Sequence, residues 1–265
     1  MSGRLRPLGL ALGTVGVGAE APAGRLGVTE AQVREEVFAA CRVLAGEGLV
    51  EAYGHVSARL PGSPHVVVTP RYAPSLVRGP EDLVVVDLDG ARVAGDADPP
   101  LEVWMHTEVY RARPEVGALC RTHSPAATAW STLGEPLRPV HGFGAFLGVE
   151  VPVFPIPFLI TDAALGRALA EALGGAEAVL LRGNGQLVTG RRVAEACVKA
   201  LFLEQSARVH LLARCAGTPR VWTAEEVARR TGPDVPYDHF GRAWDYYRAK
   251  HAVAGRRRRR AAGRG

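Results

Sequence analysis

Regular alternation of apolar and polar positions begins near residue 29. Val33, Val37, Cys41 and Leu44 recur at three- and four-residue spacing, the stripe of an amphipathic helix, and Gly46 and Gly48 close it. Thr29 with Gln32 three residues on predicts a capping box, and Val28 with Val33 a hydrophobic staple. Apolar runs of strand length follow in HVSARL, HVVVTP and DLVVVDLDG, the last ending in an Asp-Gly turn. Beyond Pro99 and Pro100, LEVWMHTEVYRAR carries a helical pattern that Pro114 ends.

VGALCRTH is the next strand, and Ser124 with Pro125 makes an N-cap and first-turn pair for a helix over PAATAWSTL. VPVF is a short strand, and Thr161 is the expected cap of a helix running to Leu173. AVLLR and QLVTG read as paired strands across a tight GNG turn. A long amphipathic helix spans about Val193 to Ala213, and one or two helices finish the chain. Helices and strands mix without strict β-α-β alternation, which favours one α/β sandwich over a doubly wound parallel sheet.

Composition changes this picture little. The chain has 265 residues, 47% hydrophobic and 22% charged, enough to bury a sizeable core. Its net charge of +5 is misleading: residues 256–265 hold six arginines and no acid, leaving −1 for the rest. The first 28 residues add three arginines and one glutamate, so residues 29–255 carry −3. A mildly acidic body with a basic end is not a nucleic-acid-binding domain. The expected organisation is a flexible segment over 1–28, a domain over 29–250 and a basic flexible tail over 251–265.

The four cysteines, at 41, 120, 197 and 215, show no CxxC pairing, which fits reduced thiols in a cytoplasmic protein. LGLALGTVGVGA near the start faintly imitates a signal peptide but is glycine-rich and weakly apolar. No stretch reaches membrane-spanning length, so no membrane partner is expected. Nucleotide-binding glycine motifs are missing, and no nucleotide cofactor is expected.

The candidate chemistry lies at strand ends and turns. Arg121 and His123 end a strand two residues apart and so project to the same side. Glu102 opens a helix, His141 sits in the glycine-bearing loop RPVHGFGAF, and Asn184 sits in GNG. Each has a plainer reading. Glu102 suits the first turn of any helix, Asn184 suits any tight turn, and Arg121 with Glu102 makes a structural ion pair.

Taken in order, GHVSAR, VTPRYAP, PPLEVWMH, RTHSPAATA and AVLLRGNGQLVTG, with the long helix after them, resemble the class II aldolase/adducin family over roughly residues 30 to 214. The resemblance implies a three-layer α/β/α sandwich with a mixed central sheet, assembled as a homotetramer. In catalytic members it also implies a divalent metal that serves the making and breaking of carbon–carbon bonds. Carried over residue by residue, the acid–base glutamate matches Glu102. The strand that ends in His-x-His in the family, both metal ligands, ends here in Arg121 and His123. The third ligand's position holds Asn184, and the turn carrying substrate contacts holds His55 and Ser57, with Arg71 after it.

These departures leave two readings: the metal is lost, or it is held by a rebuilt set. Glu102, His123 and His141 form that set, with His55 and His106 as spare ligands, suited to zinc, manganese or iron(II). An arginine cannot ligate a metal but recognises carboxylate with two parallel hydrogen bonds. The branch carrying RTHSP-like and RGNG-like motifs resembles decarboxylases of hydroxylated aromatic acids. The resemblance therefore implies a metal-dependent lyase acting on an unphosphorylated hydroxylated carboxylic acid. Glu102, Arg121 and Asn184 are then catalytic, and His55, Ser57, Arg71 and Arg121 bind substrate. Alternatives are a metal-dependent aldolase, an iron- and dioxygen-dependent decarboxylase in the same pocket, and a non-catalytic adducin-like binding protein.

Overall fold

The computed structural model describes residues 27–233 and 237–262, with side chains as far as residue 252. The signal-like run and nearly all of the expected flexible segment lie outside them. Helix α1, Glu30–Gly46, starts at the expected capping box: Thr29 accepts from the Gln32 N–H while Gln32 accepts from that of Thr29. Four strands then form a meander: β1 His55–Arg59, β2 Val66–Val68, β3 Val84–Val86 and β4 Arg92–Ala94. The last of these was not expected. All three of its residues are exposed, so it carries no burial pattern to read.

Helix α2, Val103–Ala112, leads to β5, Ala118–Thr122, and α3, Pro125–Ser131. Next come β6 Val153–Phe154, α4 Ala163–Leu173, β7 Ala178–Leu181 and β8 Gln186–Gly190. The chain finishes with α5 Val193–Ala216, α6 Ala224–Thr231 and α7 His239–Ala262. The eight strands make one sheet in the order β4-β3-β2-β1-β5-β8-β7-β6, antiparallel except for β6 with β7. The mixed sheet is the one expected.

Strand alternation builds the two outer layers. Val67, Val85, Cys120, Leu180 and Val188 face a core shared with Leu44 of α1 and Leu203 of α5. Val66, Val68, Leu119, Val179 and Leu187 face Met105 and Val109 of α2 and Leu169 and Leu173 of α4. Helices thus cover both faces, giving the three-layer α/β/α sandwich. At about 25 cal/mol per Å² of apolar area, each fully buried leucine contributes about 2 kcal/mol.

Two local expectations need correction. The cap of α4 is Asp162, whose carboxylate accepts from the Leu165 N–H, and not Thr161. Ser124 stands at the N-cap of α3, but its hydroxyl bonds Thr122 at 2.9 Å instead of capping. Glu204 of α5 takes over that role, its two oxygens accepting from the N–H groups of Ala126 and Ala127, both at 3.0 Å. Helix α7 runs on through the arginine run to Ala262, and His251 is tied to Glu47 at the end of α1 at 2.7 Å.

Candidate functional site

The candidate residues meet where β1 begins and β5 ends. These strands run antiparallel, and His55 is the ladder partner of Arg121. On β5, Leu119 and Arg121 point to the α2 side while Ala118 and Cys120 point to the other, so Arg121 lies under the start of α2. The Arg121 side chain is fully buried. One of its terminal nitrogens donates to the Thr122 carbonyl at 2.7 Å. The other comes within 3.7 Å of Oε2 of Glu102. Neither that second nitrogen nor Nε has a hydrogen-bond partner among the described residues. Arg121 is thus paired in charge yet keeps two donors for something else.

Glu102 occupies the N-cap position of α2, and its Oε1 accepts from the Ile160 N–H at 3.2 Å. The loop before α4 therefore folds over the carboxylate. Three imidazoles complete the group. The His55 and His106 rings stand edge to face, 5.6 Å apart, with His55 Nδ1 and His106 Nε2 unpartnered. The His123 ring is half-buried, 6.1 Å from that of Tyr53.

Burial, then the charge of Arg121, brings the pKa of His106 down to about 3 and that of His123 to about 4. Burial also lowers His55 well below the ordinary value, with His106, Arg121 and His123 adding to the effect. Desolvation of Arg121 itself lowers its pKa to about 10, against the pull of Glu102. At neutral pH the site is one buried cation and three uncharged rings, with Glu102 beside the cation.

Asn184 sits at the same end of the sheet, in the turn between β7 and β8. Its backbone N–H donates to Leu181, while the Gly183 N–H donates to Ser131 Oγ. Gly185, at φ +83°, presses against β5 so closely that a Cβ would lie 2.1 Å from the Thr122 carbonyl oxygen. That contact seats the Asn184 turn against the strand end carrying His123.

Other expected members stand elsewhere. Ser57 is fully buried, its hydroxyl held between His106 Nδ1 at 2.7 Å and the Tyr110 hydroxyl at 2.9 Å, and it offers nothing to a ligand directly. Arg71 lies on the outside, donating to the Pro99 carbonyl and pairing with Asp98 at 3.4 Å. His141 packs edge-on to Phe143, which stacks on Phe202 of α5, so its loop belongs to the opposite helical layer. Its Nδ1 accepts from the Phe143 N–H, and burial lowers its pKa.

The expected metal set therefore does not fit. Among the described residues no three His, Cys, Asp or Glu side chains converge to hold an ion. A buried guanidinium beside Glu102 also repels a dication there. Two roomy cavities lie away from this group. One of about 570 Å³ is lined by Trp130, Arg138, His210 and Arg214, and one of about 350 Å³ by Phe146, Lys199, Arg230 and His239. Neither touches Glu102, Arg121 or His123.

His106 was expected only as a spare ligand, and Tyr110 not at all. The available signal was helical spacing: Glu102, His106 and Tyr110 follow each other by four and so share a face.

The family model described as "Class II Aldolase and Adducin N-terminal domain" matches residues 35–211. A 3,4-dihydroxyphthalate decarboxylase of Terrabacter sp. (strain DBF63) is 32% identical over 243 residues, covering 83% of this chain and 95% of that protein. A protein of the same description from Rhodococcus jostii (strain RHA1) is 34% identical over 199 residues, covering 69% and 81%. Among solved structures, L-fuculose 1-phosphate aldolase from Glaciozyma antarctica PI12 superposes with a TM-score of 0.74 at 24% identity, over 85% of this chain and 90% of that one, a likeness of fold.

Proposed function

Because the chain belongs to the class II aldolase and adducin family, we propose that it is a lyase releasing CO₂ from a hydroxylated, unphosphorylated aromatic acid. The observation that carries this reading is Arg121: a fully buried guanidinium with two unpartnered donors beside a carboxylate. Such a fork matches the two oxygens of a substrate carboxylate. Relatives named as decarboxylases of a dihydroxylated aromatic acid support it.

In this reading Arg121 orients the acid with its carboxylate towards the dry end of the sheet. Glu102 takes the proton of the neighbouring ring hydroxyl and delivers it to the ring carbon that bears the carboxylate, so that the new C–H bond forms as the ring oxygen becomes a carbonyl. The carbon–carbon bond to the carboxylate then breaks, its electron pair restores the ring and the negative charge on that oxygen, and CO₂ leaves. His123, half-open at the rim, returns the proton from solvent. Asn184 donates to developing negative charge. His55 flanks the acid beside Arg121, while Ser57 acts only through His106.

Family members are typically divalent-metal dependent, with zinc, manganese or iron(II) as the candidates. Since one chain's donors do not converge, no step above is assigned to the ion. A homotetramer is part of the same reading, supported by exposed apolar side chains around the site: Tyr53 (74% exposed) and Phe158 (70%), with Leu101 and Leu159. Four free cysteines among the described residues, three of them buried, support a reducing, cytoplasmic location.

The test is CO₂ release from 3,4-dihydroxyphthalate and 2,3-dihydroxybenzoate, in air and under nitrogen. Equal release in both is expected. No CO₂ from either acid, with or without added divalent ions, would overturn the reading, and release only in air would favour the oxidative alternative.

A further inference from the structure

Between α2 and the sheet, three buried side chains form a line of hydrogen bonds that ends at the site. The Tyr110 hydroxyl lies 2.9 Å from Ser57 Oγ, which lies 2.7 Å from His106 Nδ1. All three are essentially inaccessible to solvent. Ser57 faces α2 because its β1 neighbours Val56 and Ala58 face the other core. His106 and Tyr110, one helical turn apart, both look down onto it. At the far end of the line His106 Nε2 is buried and has no partner among the described residues, with His55 edge-on to the ring.

Counting protons fixes the direction of this line. Ser57 is the sole hydrogen-bond partner of the Tyr110 hydroxyl among the described residues. If Tyr110 did not donate to Ser57, its O–H would be buried without an acceptor, a loss of about 1–3 kcal/mol. With Tyr110 donating, Ser57 passes its own proton to His106 Nδ1. A neutral imidazole that accepts at Nδ1 carries its hydrogen on Nε2. One hydrogen is left over in either direction: here it is the Nε2–H, at the end of the line beside His55 where a ligand can accept it, whereas the reverse, Nδ1–H donating to Ser57 and Ser57 to Tyr110, strands the tyrosine hydrogen between α2 and the sheet.

We propose that Tyr110 and Ser57 hold His106 as its Nε2–H tautomer, and that this N–H binds the ring oxygen adjacent to the substrate carboxylate gripped by Arg121. His106 is then the residue that makes the site prefer acids with an oxygen ortho to the carboxylate. The two donors serve different atoms of one ligand: the guanidinium takes the charge and the imidazole reads the neighbouring hydroxyl. Tyr110 and Ser57 are positioning residues, acting through His106. The part concerning substrate rests on the decarboxylase reading above; the tautomer does not.

The tautomer is read by ¹⁵N NMR of the ligand-free, histidine-labelled full chain, with His106→Gln to assign the signal. Protonated Nε2 and bare Nδ1 are expected, and a bare Nε2 or a doubly protonated ring would overturn the proposal. Preference is read by calorimetry with salicylate and benzoate. The unaltered protein is expected to bind salicylate about tenfold more tightly, one good hydrogen bond's worth. His106→Phe should reduce that ratio to about one while leaving benzoate affinity within about twofold. Tyr110→Phe, which frees Ser57 without opening a cavity, covers the case in which His106→Phe fails to fold. It should bring in the second tautomer and lower the ratio about threefold. An unchanged ratio in either folded variant would overturn the assignment of His106 alone. Failure of the unaltered protein to bind either acid would sink the aromatic-acid reading, and the substrate half of the proposal with it.

Discussion

A guanidinium nitrogen of Arg121 stands 3.7 Å from Oε2 of Glu102, near enough to share charge and too far to share a hydrogen. An ion pair whose geometry was set only by folding would close to about 2.8 Å. The gap, with two donors left open on a fully buried arginine, marks a residue placed for a third party. Arg121→Lys keeps the charge and removes the fork. It is expected to fold, and to lower kcat/KM for the aromatic acid about 100-fold, chiefly through KM. Steady-state kinetics on the purified variant checks this, and a change under threefold would remove Arg121 from substrate binding.

Removing the other partner has a different signature. Glu102→Gln leaves a buried cation without its counter-charge, a loss of about 3 kcal/mol in stability. An added carboxylate ligand supplies the missing charge. Thermal denaturation should therefore show salicylate raising the Tm of Glu102→Gln more than that of the unaltered protein. Equal shifts would mean that the ligand does not sit at Arg121.

Stability should also fall on mild acidification, and His106 gives the sign. An unfolded chain protonates its histidines near pH 6.5, whereas folding holds His106 to about 3 through burial and then the charge of Arg121. Between those values the unfolded chain binds the extra proton. The stabilisation is thus complete above about pH 6.5 and is lost as pH falls towards about 3, at about 1.4 kcal/mol per unit from this ring alone. Urea unfolding of the unaltered protein and of His106→Gln, between about pH 7 and pH 5, should differ by that slope. Parallel curves would show the ring is not buried neutral.

Metal affinity is expected to be low in the isolated protein, because the donors of one chain do not converge on a point. After dialysis, zinc, manganese or iron(II) should be well below one ion per chain by elemental analysis. A full equivalent that survives dialysis and disappears in His123→Ala would show that the ligand set forms after all.

The glycines of the GNG turn give a contrast within three residues. Gly185 combines φ +83° with a Cβ position 2.1 Å from the Thr122 oxygen, so Gly185→Ala must push the turn off β5. A loss of about 3 kcal/mol or more, or insolubility, is expected, together with loss of activity. Gly183, at φ +66°, faces open space, and Gly183→Ala should cost only about 1 kcal/mol. Equilibrium unfolding of both variants checks the difference.

Most of the architecture was legible because burial leaves a period in the sequence. The stripe on α1, the valine-rich strands and the Asp-Gly and GNG turns all carry it. β4 was not legible, since a fully exposed edge strand has no apolar face. The cap on α3 was not legible either. Ser124 is a good local cap, but Glu204 reaches it from a helix far along the chain and leaves the serine to pair with Thr122. At the site, strand alternation ties the direction of Arg121 to that of Leu119, which faces α2, but does not say which helix that is. His141 was misplaced because its loop follows the α5 aromatic cluster, a tertiary preference that spacing does not encode. The line from Tyr110 to His106 was missed because its middle member lies on a strand far from α2 in sequence.

The pairing of His55 with Arg121 also bears on how the molecule comes into being. β1 finds β2 through a short turn, but it finds β5 only after the whole meander and α2 have intervened. Contacts of such separation in sequence are costly in loop entropy and form late. Refolding chains should therefore regain helical signal before they regain ligand binding, and a nascent chain released before β8 lacks the other neighbour of β5. Its reactive end is an all-or-none product of long-range closure, so no partly folded form carries a partly working site.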